Sequence, residues 1–240
     1  MTTRVRGAMS GHLARNLSRT LCREFVDPVM AEHGLVSGAG HVYRRVEDDG
    51  DALVVEFQRS SSSTRNAYLF YVNVAVVPCP WLLHRRGDST ATDAELPEVT
   101  EGLVRTRLVK PNSLWMLPRE EMLRILTSGR VPAGIDSGDH SLWLIDSPQA
   151  VVEKGATLRT LLAEKIAEFA PLLDRGVLKE RLRSGATLPG DCPRDAALAV
   201  LLADEGPSAE LDGVLSRLDD PDFSSFVDWV RRYAARAEPQ

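Results

Sequence analysis

The ten residues from Tyr68 to Val77 restrict the fold of this 240-residue chain more than any other segment. Most of them are aromatic or β-branched, which favours an extended strand, and Pro78 ends the run. Both faces of the predicted strand are largely apolar, with Asn73 as the polar exception. We therefore expect a central strand that is covered on both sides.

Further strands are predicted around this one. Ala52–Arg59 alternates between two faces, and Asp48-Asp49-Gly50 before it has the composition of a hairpin turn after a first strand at His41–Glu47. Ser60–Asn66 is predicted to be a polar loop, and Leu103–Lys110 an edge strand with its arginines directed outward. These signals indicate a mainly antiparallel sheet.

Helices are predicted at both ends of the chain. Apolar residues recur every four positions over His12–His33, Pro28 should either kink this helix or restart it, and Gly34 should end it. Residues 84–100 are predicted to be a polar loop, and Asp222 is predicted to cap the last helix. Helical patterns are predicted for Pro118–Ser128, Ala156–Leu173, Gly176–Arg183, Pro193–Ala203, Ala209–Leu218 and Phe223–Ala235.

The predicted fold class is α+β, with an N-terminal helix on a mainly antiparallel sheet followed by a helical C-terminal region. The expected division is an α+β sheet domain at residues 1–147 and a helical region at residues 148–240, packed on or beside the sheet domain. The length suits one large domain or a domain with a smaller appendage.

Composition narrows the functional classes. The net charge of −5 gives the whole chain no electrostatic signature for nucleic acid. The three cysteines form no metal-ligand spacing, so we expect free thiols in the cytoplasm. No secretory signal or membrane-spanning segment is expected. The sequence predicts no cofactor, no metal site and no catalytic residue set, which leaves enzymatic activity uncertain.

The candidate binding residues alternate along three predicted strands. They are Tyr43 and Arg45 on the first, Glu56 and Gln58 on the second, and Tyr71 and Asn73 on the third. With ordinary antiparallel register they would line one side of the sheet and offer hydrogen-bonding groups to a ligand. The alternative is a solvated face whose polar groups satisfy one another.

Two other patterns point to phosphate chemistry. Asp51 followed by Glu56-Phe57-Gln58 resembles a metal-dependent nuclease site, but Gln58 stands where that chemistry needs a lysine. The pairs Arg44-Arg45, Arg85-Arg86 and Arg105/Arg107 would suit phosphate contacts, although solvated arginines are the simpler interpretation. Trp81, Trp115 and Trp143 lie among apolar residues, which favours core packing over a tryptophan-lined pocket.

The order of these segments resembles a bacterial family described only as domain of unknown function 4304. The matching positions are Gly34, Tyr43, Arg45, Phe57, Gln58, Ser60, Phe70 and Asn73, within residues 12–145. The chain departs from the family pattern at Leu35, where phenylalanine is usual, and at Ala75, where glycine is common. The resemblance supports the α+β fold and draws attention to Arg45, Gln58 and Asn73, but it implies no activity.

The leading functional expectation is a non-enzymatic binding protein with a protein partner, of an immunity type or a defence-associated accessory type. Two alternatives stay open. One is an enzyme acting on a phosphate-containing substrate or nucleic acid through the polar sheet positions. The other is a nucleic-acid-binding module that uses the arginine pairs.

Overall fold

The structure is a computed structural model that describes residues 13–87, 96–111, 113–114, 117–132, 135 and 138–236. Its strands are β1 (Val36–Ser37), β2 (Val42–Val46), β3 (Ala52–Arg59), β4 (Tyr68–Val77), β5 (Val104–Arg107) and β6 (Trp143–Ile145). Its helices are α1 (Leu13–Leu21), α2 (Asp27–Glu32), α3 (Cys79–Arg86), α4 (Arg119–Ser128), α5 (Pro148–Phe169), α6 (Arg175–Arg183), α7 (Arg194–Ala203), α8 (Ala209–Leu215) and α9 (Ser224–Ala234). The predicted α+β class is confirmed.

The strands form one mainly antiparallel sheet in the order β1-β2-β3-β4-β5. β6 also pairs with β4, antiparallel, with Tyr68 opposite Ile145 and Phe70 opposite Trp143. β4 therefore has β3 on one side and both β5 and β6 on the other, which confirms the central position expected from its apolar faces. β5 is at the edge of the strand order, as predicted.

The first helical segment has the kink expected from Pro28, but the distortion lies just before the proline. α1 and α2 are joined by a π-helical turn at Cys22–Val26, in which the backbone N–H of Asp27 donates to the carbonyl of Cys22. Proline has no N–H and its ring crowds the carbonyl four residues earlier, so the regular hydrogen-bond ladder is interrupted here. Gly34, with a φ of 74°, ends α2 as predicted.

Residue contacts divide the chain into two compact units, each made of separate segments. The first unit comprises Met1–Tyr43, Glu56–Asn73 and Arg107–Ile166, and the second comprises Arg44–Val55, Val74–Thr106 and Ala167–Gln240. The expected division at residue 147 stays a prediction. No helix among the described residues has the length and apolar character needed to cross a membrane.

The core of the first unit is built on stacked aromatic rings. The ring of Phe70 lies 4.8 Å from that of Tyr68, 5.8 Å from that of Phe57 and 6.4 Å from that of Trp143, measured between centroids. All four side chains are buried. These contacts fix which side of β3 and β4 faces the core, and therefore which side presents polar groups.

The core of the second unit is mainly helical. α7 is buried from Ala196 to Ala203 and packs against α3, α6, α8 and α9. α3 corrects the start of the loop expected at residues 84–100, because its helix continues to Arg86, and residues 88–95 of that loop lie outside the described residues. Pro80, in the first turn of α3, favours the start of a helix, since the backbone N–H groups of a first turn have no hydrogen-bond partner within the helix. Asp222 is also not the cap of α9, whose N-cap is Phe223 without a side-chain hydrogen bond. The Asp220 side chain accepts from the Asp222 N–H and caps the short 3₁₀ turn Pro221–Phe223 that precedes α9.

Candidate functional site

Four of the six predicted site residues lie together on one face of the sheet. Glu56 and Gln58 alternate with the buried Phe57 on β3, so they project away from the aromatic core. Tyr71 and Asn73 occupy alternating, half-buried positions on β4. All four belong to the first unit. The predicted alternation is therefore correct for these two strands.

Asn73 is at the centre of this face. Its amide nitrogen donates to Oε2 of Glu56 and to Oε1 of Gln58, each at 3.1 Å. Its amide oxygen accepts from Nε of Arg107, also at 3.1 Å. Both amide hydrogens and one lone pair of Asn73 are thus used, which explains how a polar residue is accommodated within an apolar strand.

The network continues through Arg107 on β5. Its guanidinium carbon lies 4.4 Å from the centre of the Tyr71 ring, a cation–π contact. The Tyr71 hydroxyl donates to Oδ2 of Asp139 at 2.9 Å, and Oδ1 of Asp139 accepts from the N–H and hydroxyl of Ser141. We call the set Glu56, Gln58, Tyr71, Asn73, Arg107 and Asp139 the polar sheet face.

The hydrogen bond between Tyr71 and Asp139 reinforces the charge states that the two groups ordinarily have at neutral pH. It is the main cause that raises the pKa of Tyr71, which favours the neutral phenol that donates this bond. Partial burial alone would raise the pKa of Asp139. The hydrogen bonds from Ser141 and Tyr71 outweigh that effect and lower it, so the carboxylate stays charged. This end of the face is arranged for recognition by hydrogen bonds and charge.

Tyr43 does not belong to this face, and its expected placement is corrected. Its ring is buried and packs edge-on against Phe57, with 6.0 Å between centroids, on the core side of the sheet. Its hydroxyl donates to Oδ1 of Asp27 at 2.7 Å. Burial, followed by that hydrogen bond, raises the pKa of Tyr43. The pleat therefore places Tyr43 opposite to the polar residues of β3.

Arg45 is also not part of the polar sheet face. It belongs to the second unit, where its guanidinium forms an ion pair with Glu47 at 2.6 Å. It lines an open groove there with Arg175 and Lys179. Of the six residues expected to form a common site, four therefore lie together on the polar sheet face.

Two members of the face were not predicted as site residues. Arg107 was expected as an outward arginine of an edge strand and as one of the arginines suited to phosphate contacts. Its contact with Asn73 on β4 follows from strand pairing that the sequence alone does not fix. Asp139 lies in a loop between α4 and β6, where no periodic signal exists. Its Asp-x-Ser spacing, which gives the hydrogen bonds to Ser141, was the available clue.

The nuclease interpretation finds no support in the position of Asp51. This residue is 1% exposed, and its carboxylate accepts from the Cys79 N–H and from two nitrogens of Arg175, at 2.6–2.7 Å. Such a carboxylate serves the packing of the second unit. Among the described residues, no three histidine, cysteine, aspartate or glutamate side chains are grouped to hold a metal ion.

Most arginines of the proposed basic stripe have partners inside the protein. Arg44 donates to the Pro97 carbonyl at 2.6 Å, and Arg86 forms a bidentate pair with Glu101. Arg105 pairs with Asp191. Because these partners neutralise or occupy the guanidinium groups, the arginine pairs do not form a continuous basic surface for nucleic acid.

Tryptophans contribute to the cores, as expected. Trp143 is buried in the aromatic stack of the first unit, and Trp81 is buried in the second. Trp115 lies outside the described residues.

Comparison with known proteins finds a family that matches part of the chain. No curated protein and no solved structure matches the chain. The family match contains β2, β3, β4 and β5, and hence all the strands that build the polar sheet face. Residues 26–128 of this chain match the family described as domain of unknown function DUF4304, which confirms the expected resemblance over that segment.

Proposed function

We propose that this chain is a cytoplasmic bacterial binding protein without catalytic activity, and that the polar sheet face docks a protein partner. An immunity-type or defence-associated accessory protein is the functional class that we favour. The observation that carries the proposal is the hydrogen-bonded network centred on Asn73. It holds Tyr71 and Arg107, two residue types that dominate protein interfaces, in fixed positions before any partner arrives.

The proposal is supported by the solvent exposure and by the order of the side chains in this network. Gln58 and Arg107 are exposed, and Glu56, Tyr71 and Asn73 are half-buried, so every member has some accessible surface. Side chains that are already ordered lose little conformational entropy on association, and this favours binding. The three free cysteines fit the reducing cytoplasm.

Charge indicates the chemistry of the partner. The polar sheet face has two carboxylates, Glu56 and Asp139, and one guanidinium, Arg107. The chain as a whole has a net charge of −5. A protein surface with basic residues and hydrogen-bonding side chains would complement both, whereas the phosphates of nucleic acid would be repelled.

The alternative of an enzyme acting through this face has weaker support. The hydrogen bond to Asp139 raises the pKa of Tyr71, which makes the phenol a weaker acid. Asn73 is occupied by three neighbours, and Arg45 belongs to the other unit. A phosphate-processing site would need a cationic group and a base directed at a common point.

The proposal is tested by comparative affinity capture from the source cells. The bait proteins are the wild type, Gln58→Arg on the face, and Gln149→Arg as a matched control on α5, where Gln149 is exposed and bonds to Glu153. A protein retained by the wild type and the control but lost by Gln58→Arg is the expected result. Equal retention by all three baits would contradict the proposal.

A further inference from the structure

A groove of about 540 Å³ lies in the first unit and shares no lining residue with the polar sheet face. Arg15 of α1, Arg59 at the end of β3, and Arg65 of the loop after β3 all line it, together with His41. The volume is within the range of small-molecule sites, about 300–1,000 Å³. Four basic side chains from four separate chain segments thus converge on one concave surface.

The loop that carries Arg65 is fixed by its own hydrogen bonds. The hydroxyl of Ser63 donates to the Leu69 carbonyl at 2.8 Å and accepts from the Leu69 N–H at 3.0 Å. The Thr64 hydroxyl oxygen accepts from the N–H of Ala67 at 3.1 Å. These bonds are those of a structured turn, so the loop presents its side chains in a defined arrangement.

The same loop is attached to α1. The carbonyl of Arg65 accepts from the N–H of Ala14 at 3.1 Å, and Ala14 is itself buried in the groove wall. Arg15 is the next residue along the helix. This backbone bond therefore brings the side chains of Arg15 and Arg65 to the same groove.

The positive charge of the groove is not neutralised from within. None of its described lining residues is acidic. In the part of the chain that the structure describes, Arg15, Arg59 and Arg65 form no ion pair, in contrast to Arg45 and Arg105. Three guanidinium groups around one groove repel each other unless an anion lies between them, so the arrangement favours anion binding.

His41 has an unusual backbone conformation at the rim. Its φ is 60°, the only positive value recorded for a described residue other than glycine. Its Nδ1 lies 3.7 Å from the buried thiol of Cys22, and the residue as a whole is exposed. Left-handed non-glycine residues cost free energy and cluster at ligand sites. This observation is independent of the charge and supports a binding role.

We propose that this groove, lined by Arg15, His41, Arg59 and Arg65, binds the phosphate group of a small anionic ligand. Arginine forks match phosphate oxygens and form charge-assisted hydrogen bonds with them. A small phosphate ester fits better than a nucleic-acid strand, because the groove is local and the chain carries a net charge of −5. The inference goes beyond the proposed protein-docking function, and it uses different residues.

The test is calorimetric titration of the full chain with inorganic phosphate, with adenosine monophosphate, and with a short single-stranded oligonucleotide. The variants are Arg59→Gln and Arg65→Gln, and the control is Arg231→Gln, which removes the same charge from an exposed position on α9. Thermal melting of each variant without ligand verifies folding.

We expect phosphate or adenosine monophosphate to bind the wild type and the control equally. Each groove variant should bind about tenfold more weakly, which corresponds to about 1.4 kcal/mol. Stronger binding of adenosine monophosphate than of inorganic phosphate would identify a phosphate ester as the ligand. Equal weakening in all three variants, no binding at low ionic strength, or tight binding of the oligonucleotide alone would overturn the proposal.

Discussion

The Asn73 side-chain oxygen accepts a hydrogen bond from Nε of Arg107 at 3.1 Å, which joins the central strand β4 to the edge strand β5 through their side chains. The same bond orients Arg107 over the Tyr71 ring. One polar residue in an apolar strand therefore organises both the sheet edge and the candidate docking surface.

Asn73→Ala should lower the free energy of unfolding by about 1–2 kcal/mol, because it removes three hydrogen bonds of a half-buried network. Urea denaturation measures this change. Gln149→Ala, which removes one exposed hydrogen bond on α5, should change stability by less than about 0.5 kcal/mol. Equal effects of the two substitutions would show that the network contributes nothing beyond an ordinary surface contact.

Arg175→Met should destabilise the protein strongly. It leaves the carboxylate of Asp51 buried without its bidentate partner, whose nitrogens lie 2.6 and 2.7 Å away. An uncompensated buried charge costs about 3–5 kcal/mol. Urea denaturation of this variant measures the loss.

The double variant Asp51→Asn/Arg175→Met separates the pair from general packing effects. Because the charge is removed from both partners, the double variant should lose less free energy of unfolding than the Asp51→Asn and Arg175→Met single variants lose when their two losses are added. Strict additivity would contradict a direct interaction. Arg231→Met, at an exposed position on α9, is the control for loss of an arginine.

Glu101 should make stability depend on pH in the acid range. Burial alone would raise the pKa of Glu101, but hydrogen bonds from Arg86 and from the Glu98 N–H outweigh it and lower the pKa below the ordinary 4.5. The ionised Glu101 carboxylate therefore stabilises the fold fully at pH values above the ordinary pKa, which it has in the unfolded chain. This stabilisation is lost as the pH falls through the lower pKa that Glu101 has in the folded protein.

Denaturation of the wild type and Glu101→Gln at a series of pH values measures this effect. The stability difference between them should be largest near neutral pH and should shrink towards pH 3. A difference that stays constant over this range would show that the ionised carboxylate is not what stabilises the fold.

Two helical glycines should respond in opposite directions to alanine. At Gly155 in α5 a methyl group would lie 2.5 Å from the Phe25 ring, so Gly155→Ala should destabilise by about 1–3 kcal/mol through overpacking. At Gly213 in α8 an added methyl group would meet no described residue within 4 Å apart from its own helix backbone and chain neighbours, so Gly213→Ala should stabilise by about 0.5–1 kcal/mol. Thermal melting compares the two, and the same sign for both would contradict the packing argument.

The sequence predicts the parts of the fold that follow from local periodicity. β3 and β4 have the predicted bounds, since alternation along each strand and the adjoining turn and proline are local signals. The face shared by Glu56 and Gln58 follows from the same alternation. α3 was not predicted, because its last turn, His84-Arg85-Arg86, is polar and has the composition of a loop.

The parts of the site that depend on pairing between strands were not predictable in this way. Tyr43 alternates correctly within β2, but the packing of its ring against Phe57 decides which face it occupies. Arg107 reaches Asn73 because β5 pairs with β4 across a long connection. Asp139 reaches Tyr71 from a loop that has no sequence periodicity.

The central claim is that the polar sheet face docks a protein partner. The most direct measurement is the dissociation constant between the captured, purified partner and the wild type, Tyr71→Ala and Gln149→Ala, with thermal melting to verify folding. Tyr71→Ala should raise the dissociation constant by about tenfold or more, whereas Gln149→Ala should leave it within about twofold. Wild-type affinity in the Tyr71→Ala variant would contradict the account.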